Sequence, residues 1–405
     1  MNRSRIGERL RGMEGVVAVS VATVLVMMGQ GILGPVLPLF ARELGFGATA
    51  AGAAVGAFAL ARLLFNVPLG ALSDTRGRRL LIVGGPLVVA VGMAGSGLAN
   101  GILTLVVWRF VAGLGSSMYM TGSLAYLIDI ATPSNRTRVL AVNQGALLVG
   151  VAIGPSVGGI VAAEFGLRAP FFVVAAAALV AAVYGYFRMP ETLTRRAPDG
   201  LRARSRTWAG LVGLRSAPFI AIAFANFAFF LNRGTAPQTL IPLVAVDDLG
   251  MSVDQVGLLL GAMALMSLLF LPLASSVADR WGRAQVIVPS LGLTAVSLLV
   301  VGLATGIGVF VAGSLLLGFA SAIAGPAPAA YAAEVSSEED RGLAMGAFRT
   351  AGDLGLLLGP PLLGAVADGV GFPWAFGIDA LVVALAALAM GVVAFGRTPG
   401  YEPDH

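Results

Sequence analysis

The chain has 405 residues, 57% hydrophobic and only 12% charged, with a mean hydropathy of +0.89 and a formal net charge of +5. Soluble domains carry about 25% charged residues, so the composition excludes a soluble fold and reads as an integral membrane protein. There is no cysteine, no lysine, and a single histidine, His405, at the last position. Disulfides, thiolate metal sites, a lysine-bearing phosphate loop and an intramembrane histidine relay are thereby excluded.

Residues 1–14 form a basic tail with Arg3, Arg5, Arg9 and Arg11. The apolar run at 15–41 is longer than the roughly 7–15 residues of a signal-peptide core, so it is expected to stay as a first helix. Apolar runs recur at about 49–72, 80–99, 101–128, 139–163 and 168–188. They resume at about 217–245, 252–277, 285–304, 306–333, 342–366 and 372–396. Each meets the roughly 20 residues needed to cross lipid as a helix, and all are too long for barrel strands. The expectation is an all-α protein of twelve spans. A six-helix bundle over 15–188 is joined by a linker at 189–216 to a second over 217–396, with a tail at 397–405.

The arginines set the orientation. They crowd the N-terminal tail, the turns after the second and fourth runs, and the linker, whereas only Arg42 and Arg168 fall on the opposite side. By the positive-inside rule both termini are cytoplasmic, in the cell (inner or plasma) membrane. The same sidedness accounts for the pI near 10.2 without nucleic acid.

The halves repeat. The stretch Gly70-Ala71-Leu72-Ser73-Asp74-Thr75-Arg76-Gly77-Arg78-Arg79 returns in weaker form as Asp279-Arg280-Trp281-Gly282-Arg283. At the same offset Gly154-Pro155 meets Gly359-Pro360, Tyr126 meets Tyr331, and Asp129 meets Glu334. Such a repeat implies duplicated bundles related by an axis along the membrane normal.

On these residues the chain resembles the major facilitator superfamily over its whole length. The signature turn is matched by Gly70, Leu72, Asp74, Gly77, Arg78 and Arg79, with Thr75 where a basic residue is usual. The resemblance implies an inner gate built from this turn, with Asp279 and Arg283 as its second-half copy; Asp129, at the inner end of the fourth run, reads as a gate partner of Arg78 or Arg136. Gly150-x-x-x-Gly154-Pro155-x-x-Gly158-Gly159 looks like the helix 5 motif of the superfamily's proton-coupled drug exporters. Arg109-x-x-x-Gly113-x-Gly115 resembles a motif whose arginine is associated with proton coupling. Pro190-Glu191-Thr192 matches a short ending common in the family, weak alone.

A charge at the bilayer centre costs about 2.5–3.5 kcal/mol on insertion scales and marks a functional position by default. Arg109, Asp353, Arg349 and Asp379 are the proton-coupling candidates. Asp353 and Arg349 stand four apart on one helix and are expected to pair, as a proton carrier or as a fixed bridge. Asp379 is expected at the wetted outer interface beside Trp374. Gln30, Arg62, Asn226, Asn232 and Arg233 are candidates for a substrate cavity. Phe224, Phe227, Phe229 and Phe230 supply either its apolar wall or a lipid-facing surface. The exporters resembled often carry an acid in helix 1 or mid helix 4, and the apolar run at 15–41 holds none.

The reading is a secondary transporter, not an enzyme. It exports small hydrophobic or drug-like compounds against protons by alternating access, as a monomer in lipid, with no cofactor or metal. The alternatives are a symporter or facilitator for a sugar, organic acid or other anion, and, more remotely, a membrane scaffold or receptor that does not transport.

Overall fold

The structure is a computed structural model that describes residues 3–132, 135–193, 216–324, 327–337 and 341–395. Most of the arginine-rich linker and the C-terminal tail lie outside these residues. Twelve helices are long and apolar enough to cross a membrane, and no strand occurs among the described residues.

The first bundle holds α1 (Arg3–Glu43), α2 (Ala48–Arg76), α3 (Arg78–Gly97), α4 (Ile102–Ile130), α5 (Arg136–Phe165) and α6 (Ala169–Arg188). In the second bundle α7 runs over Ala217–Thr235 and Ile241–Asp247, joined by a π-helical turn at Ala236–Leu240. It continues with α8 (Val253–Trp281), α9 (Arg283–Gly302), α10 (Ile307–Ala324 and Ala327–Glu334), α11 (Arg341–Val370) and α12 (Phe372–Phe395).

Each bundle buries its own apolar core. Phe40, Phe171 and Leu105 anchor the first, and Phe310, Phe376 and Leu298 the second. The signature turn and its copy share one backbone solution: Gly77 joins α2 to α3 at φ 106, and Gly282 joins α8 to α9 at φ 96. A side chain is strained at such angles, so glycine holds both turns.

The irregular turn of α7 also follows from the sequence. Pro237 has no N–H to continue the ladder. The chain widens there, and the Thr239 hydroxyl bonds the Gly234 carbonyl at 3.1 Å. Such π turns inside helices are often found at functional sites.

The bundles meet through α2 against α11 and α5 against α8. These contacts lie toward the arginine-poor face. Gly52 abuts the backbone of Pro360 and Pro361, Gly56 abuts Leu357, and Gly159 abuts Gly257. Arg42 of α1 and Asp247 of α7 form an ion pair at 2.8 Å on the same face. On the arginine-rich face no hydrogen bond or ion pair links the bundles among the described residues. The molecule is closed on the arginine-poor side.

Candidate functional site

Between the bundles lies a cavity of about 190 Å³. The first bundle lines it with Gln30, Leu33 and Leu37 of α1, Phe58 and Arg62 of α2, Arg109 of α4, and Pro155 of α5. The second contributes Phe229, Phe230, Asn232, Arg233 and Gln238 of α7, Leu260, Met263 and Ser267 of α8, and Ser321 of α10. Its walls are thus apolar with a few converging polar groups, the usual make-up of a small-molecule site.

Four of the five cavity candidates read from sequence line this space; Asn226 does not. Asn226 faces α11, where its amide donates to the Phe348 carbonyl at 2.7 Å. Gln30 donates to Ser116 at 3.3 Å. Asn232 is 3% exposed, and its side-chain oxygen has no partner among the described residues.

Arg62 and Asp353 form an ion pair at 3.5 Å. The first residue belongs to α2 and the second to α11, so this pair links the two bundles. It lies just inward of the Gly56–Leu357 contact, where α2 and α11 part. The partner of Asp353 is therefore not its neighbour Arg349, which is exposed and makes no ion pair among the described residues. Helical spacing identified the nearer arginine along the chain and missed the one brought from the other half.

Arg109 is 6% exposed. Its guanidinium sits 4.9 Å over the Phe58 ring, with long contacts to the Ala54 carbonyl at 3.5 Å and the Met93 sulfur at 3.9 Å. No carboxylate pairs with it among the described residues. Arg233, next to Asn232 on α7, likewise has no ion pair, and it lies within electrostatic reach of Arg62. Asp379 is not at a wetted interface: it is 0% exposed, and both carboxyl oxygens lack a partner among the described residues. It lies one turn from the buried Phe376 inside the second core. Trp374 beside it does face outward, at 66% exposed. The helix turns by about 100° per residue, so five positions place Asp379 on another face.

At the arginine-rich face, Arg78 bonds Asp74 at 2.6 Å and Asp129 at 3.1 Å. In the second half Arg283 bonds Glu334 at 2.7 Å. These are the repeat-related counterparts of Arg78 and Asp129. Asp279 is exposed and outside this pair.

Glu191 completes the first cluster. It accepts from the backbone N–H of Arg78, Arg79, Thr192 and Leu193 at 2.9, 3.1, 3.0 and 2.9 Å. Partial burial pushes its carboxyl up, but the four N–H donors outweigh this and hold it below the usual carboxylate range. Arg79 reaches the Tyr186 carbonyl at 2.7 Å and stacks on its ring. Gly70 has open space around it. In the sequence Glu191 is marked only by its position just after α6, one residue beyond a proline.

The helix 5 motif divides its glycines between two partners. Gly150, Gly154 and Gly158 lie against the α1 backbone at Val24, Met28 to Gly31, and Ile32. Gly159 meets Gly257 of α8 across the bundle interface, beside the Pro155 carbonyl.

Comparison with known proteins follows the same lines. The family profile of the Major Facilitator Superfamily matches residues 19–244 and 222–405. An uncharacterised MFS-type transporter of Methanocaldococcus jannaschii is 22% identical over 386 residues, covering 95% of this chain and 98% of its own. Multidrug resistance protein 1 of Bacillus subtilis is 27% identical over 371 residues, 89% of this chain and 92% of its own. Among solved structures, a bacterial homolog of the human lysosomal transporter Spinster, inward-facing and occupied, superposes with a TM-score of 0.76 at 16% identity. It covers 94% of this chain and 96% of that one. The human organic anion transporter TETRAN gives a TM-score of 0.67 at 21% identity, covering 94% and 99%.

Proposed function

The chain belongs to the major facilitator superfamily, and from that premise we propose that it is a proton-coupled exporter of small amphipathic compounds. It is a multi-pass membrane transporter and not an enzyme. Transport proceeds by alternating access, in which the two bundles rock around a midplane site.

The observation that carries this reading is the Arg62–Asp353 ion pair. It joins the bundles beside the cavity, and Asp353 is 8% exposed. A proton on Asp353 removes the charge that holds Arg62, and so loosens α2 from α11. A carboxylate whose protonation changes a bundle-to-bundle contact is what couples a proton to a conformational change. The multidrug resistance relatives and the α5 glycine motif support export over uptake.

The arginine bias supports cytoplasmic termini in the plasma membrane, with the closed face turned away from the cytoplasm. Asp74, Arg78 and Asp129 then form the inner gate, with Arg283 and Glu334 as its second-half pair. The energy comes from the proton gradient and not from a bound cofactor or metal.

The test is movement of fluorescent amphipathic dyes, cationic, neutral and anionic, in proteoliposomes under an imposed pH gradient. Wild type is expected to move dye in response to the gradient, and Asp353→Asn to lose that response. Movement that ignores the gradient would make the protein a facilitator and end the coupling proposal. A full gradient response in Asp353→Asn would remove Asp353 from the mechanism.

A further inference from the structure

Among the described residues, three arginines line the cavity and no aspartate or glutamate does. Arg62 is partly answered by Asp353 at 3.5 Å from behind the wall. Arg109 is turned into the Phe58 ring. Arg233 has no hydrogen bond or ion pair among the described residues and lies within reach of the like charge of Arg62. These two guanidiniums belong to α2 and α7, on opposite bundles. Like charges held apart from bulk water repel, and a negative group between them relieves the repulsion. Around them stand Phe229, Phe230, Leu33, Leu260 and Met263.

We propose that the cavity takes an amphipathic organic anion, with a compact acidic group such as a carboxylate or sulfonate on an apolar body. The acidic group sits between Arg233 and Arg62, and the apolar body lies against the phenylalanines. This names the substrate class for the exporter proposed above and rests on that reading. Guanidinium suits the role because its planar fork offers paired donors to a carboxylate or sulfonate and stays charged. A cationic compound would instead add to an uncompensated positive cavity.

The geometry also links the anion to Asp353 through one bridge. An anion that engages Arg62 displaces Asp353 and opens the α2–α11 bridge. A proton on Asp353 opens the same bridge from the other partner. With neither bound, the bridge is intact and the arginine-poor side stays closed. The charged groups facing Asp353 are Arg62 from α2 and Arg349 on α11 itself. The adjoining segment of α7 offers the uncharged amide of Asn226.

The experiment uses the purified full chain and two fluorescent probes of one skeleton. Anilinonaphthalene sulfonate carries the acidic group, and phenylnaphthylamine lacks it. Wild type is expected to bind the sulfonate about ten-fold more tightly than its neutral analogue, the scale of one good charge-assisted contact. Arg233→Gln should lose this preference and Arg233→Lys keep most of it. Asp353→Asn, freed of the competing carboxylate, should bind the sulfonate at least about five-fold more tightly. That gain should vanish when Arg62→Gln is added.

Equal binding of both probes by wild type overturns the proposal. So does a preference that survives in Arg233→Gln, with Arg233→Lys confirming that the site folds. A sulfonate preference without any pH-gradient-driven movement leaves the anion site standing and removes the proton coupling. Gradient-driven movement of tetraphenylphosphonium without a sulfonate preference does the reverse.

Discussion

Asp368, near the end of α11, caps the first turn of α2. Its carboxylate accepts from the backbone N–H of Ala48 and of Thr49, both at 2.8 Å, and from the Thr49 hydroxyl at 2.6 Å. The N-cap residue of α2 is Gly47, which has no side chain to do this. A helix start in one bundle is therefore completed by a carboxylate from the other. The bond exists only while the arginine-poor side is closed.

Asp368→Ala should shift the molecule toward the state open on that side. Loss of a capping oxygen costs about 1 kcal/mol, which changes the ratio of two states about five-fold. The native chain has no cysteine, so a single Leu37→Cys, on the outer half of the cavity wall, reports the opening. An impermeant maleimide added from the outer face should label it several-fold faster in the Asp368→Ala background. An unchanged rate would mean that Asp368 stabilises α2 without holding the gate.

Glu191 should stabilise the arginine-rich end in a pH-dependent way. Its carboxyl is held below the usual range by the backbone donors of α3 and of its own turn. A depressed acid contributes fully above its unfolded value, near 4.3 for Glu, and loses the contribution as pH falls through the lower folded value. Glu191→Gln should lower stability by about 1 kcal/mol at pH 7, a modest figure because the site is exposed. In thermal melts, the gap between wild type and Glu191→Gln should close below about pH 4. A gap that persists at low pH would assign the loss to packing.

The glycines of α5 should separate folding from gating. A side chain at Gly158 would run into the Ile32 backbone within the first bundle. Gly158→Val should cost about 1–3 kcal/mol, as overpacking does, and lower the melting temperature. At Gly159 the obstacle is Gly257 of the other bundle. Gly159→Ala should leave the melt nearly unchanged while raising outer-side labelling of Leu37→Cys. Equal loss of melting temperature in both would deny the division.

How far the sequence reaches can be judged from particular residues. Twelve spans are legible because each is a long apolar run between charged or glycine turns. The repeat makes Arg283 and Glu334 the counterparts of Arg78 and Asp129, but it leaves Asp129 between Arg78 and Arg136, a choice that only the packed helices make. The Arg62–Asp353 pair is not, since 291 positions and two bundles separate its members and no local pattern links them. Asp379 was placed by the tryptophan beside it, but facing on a helix is set by packing. Asp368 and Gln238 carried no signal, because a lone carboxylate at a helix end and an amide in a π turn acquire meaning only when another helix arrives.

Arg109 offers the last test, because its environment argues against a structural reason for its charge. It is buried, has no carboxylate partner among the described residues, and finds only a ring, a long carbonyl contact and a sulfur. A cation over an aromatic face is worth about 0.5–2 kcal/mol, whereas removing a charge from water costs several kcal/mol. Methionine has a similar length and no charge to desolvate. Arg109→Met should therefore melt at or above the wild-type temperature while losing most transport. Arg109→Lys should restore part of the transport but lose the planar stacking on Phe58. If Arg109→Met melts well below wild type, the guanidinium is an anchor between α2, α3 and α4. If it transports normally, the charge has no part in the cycle.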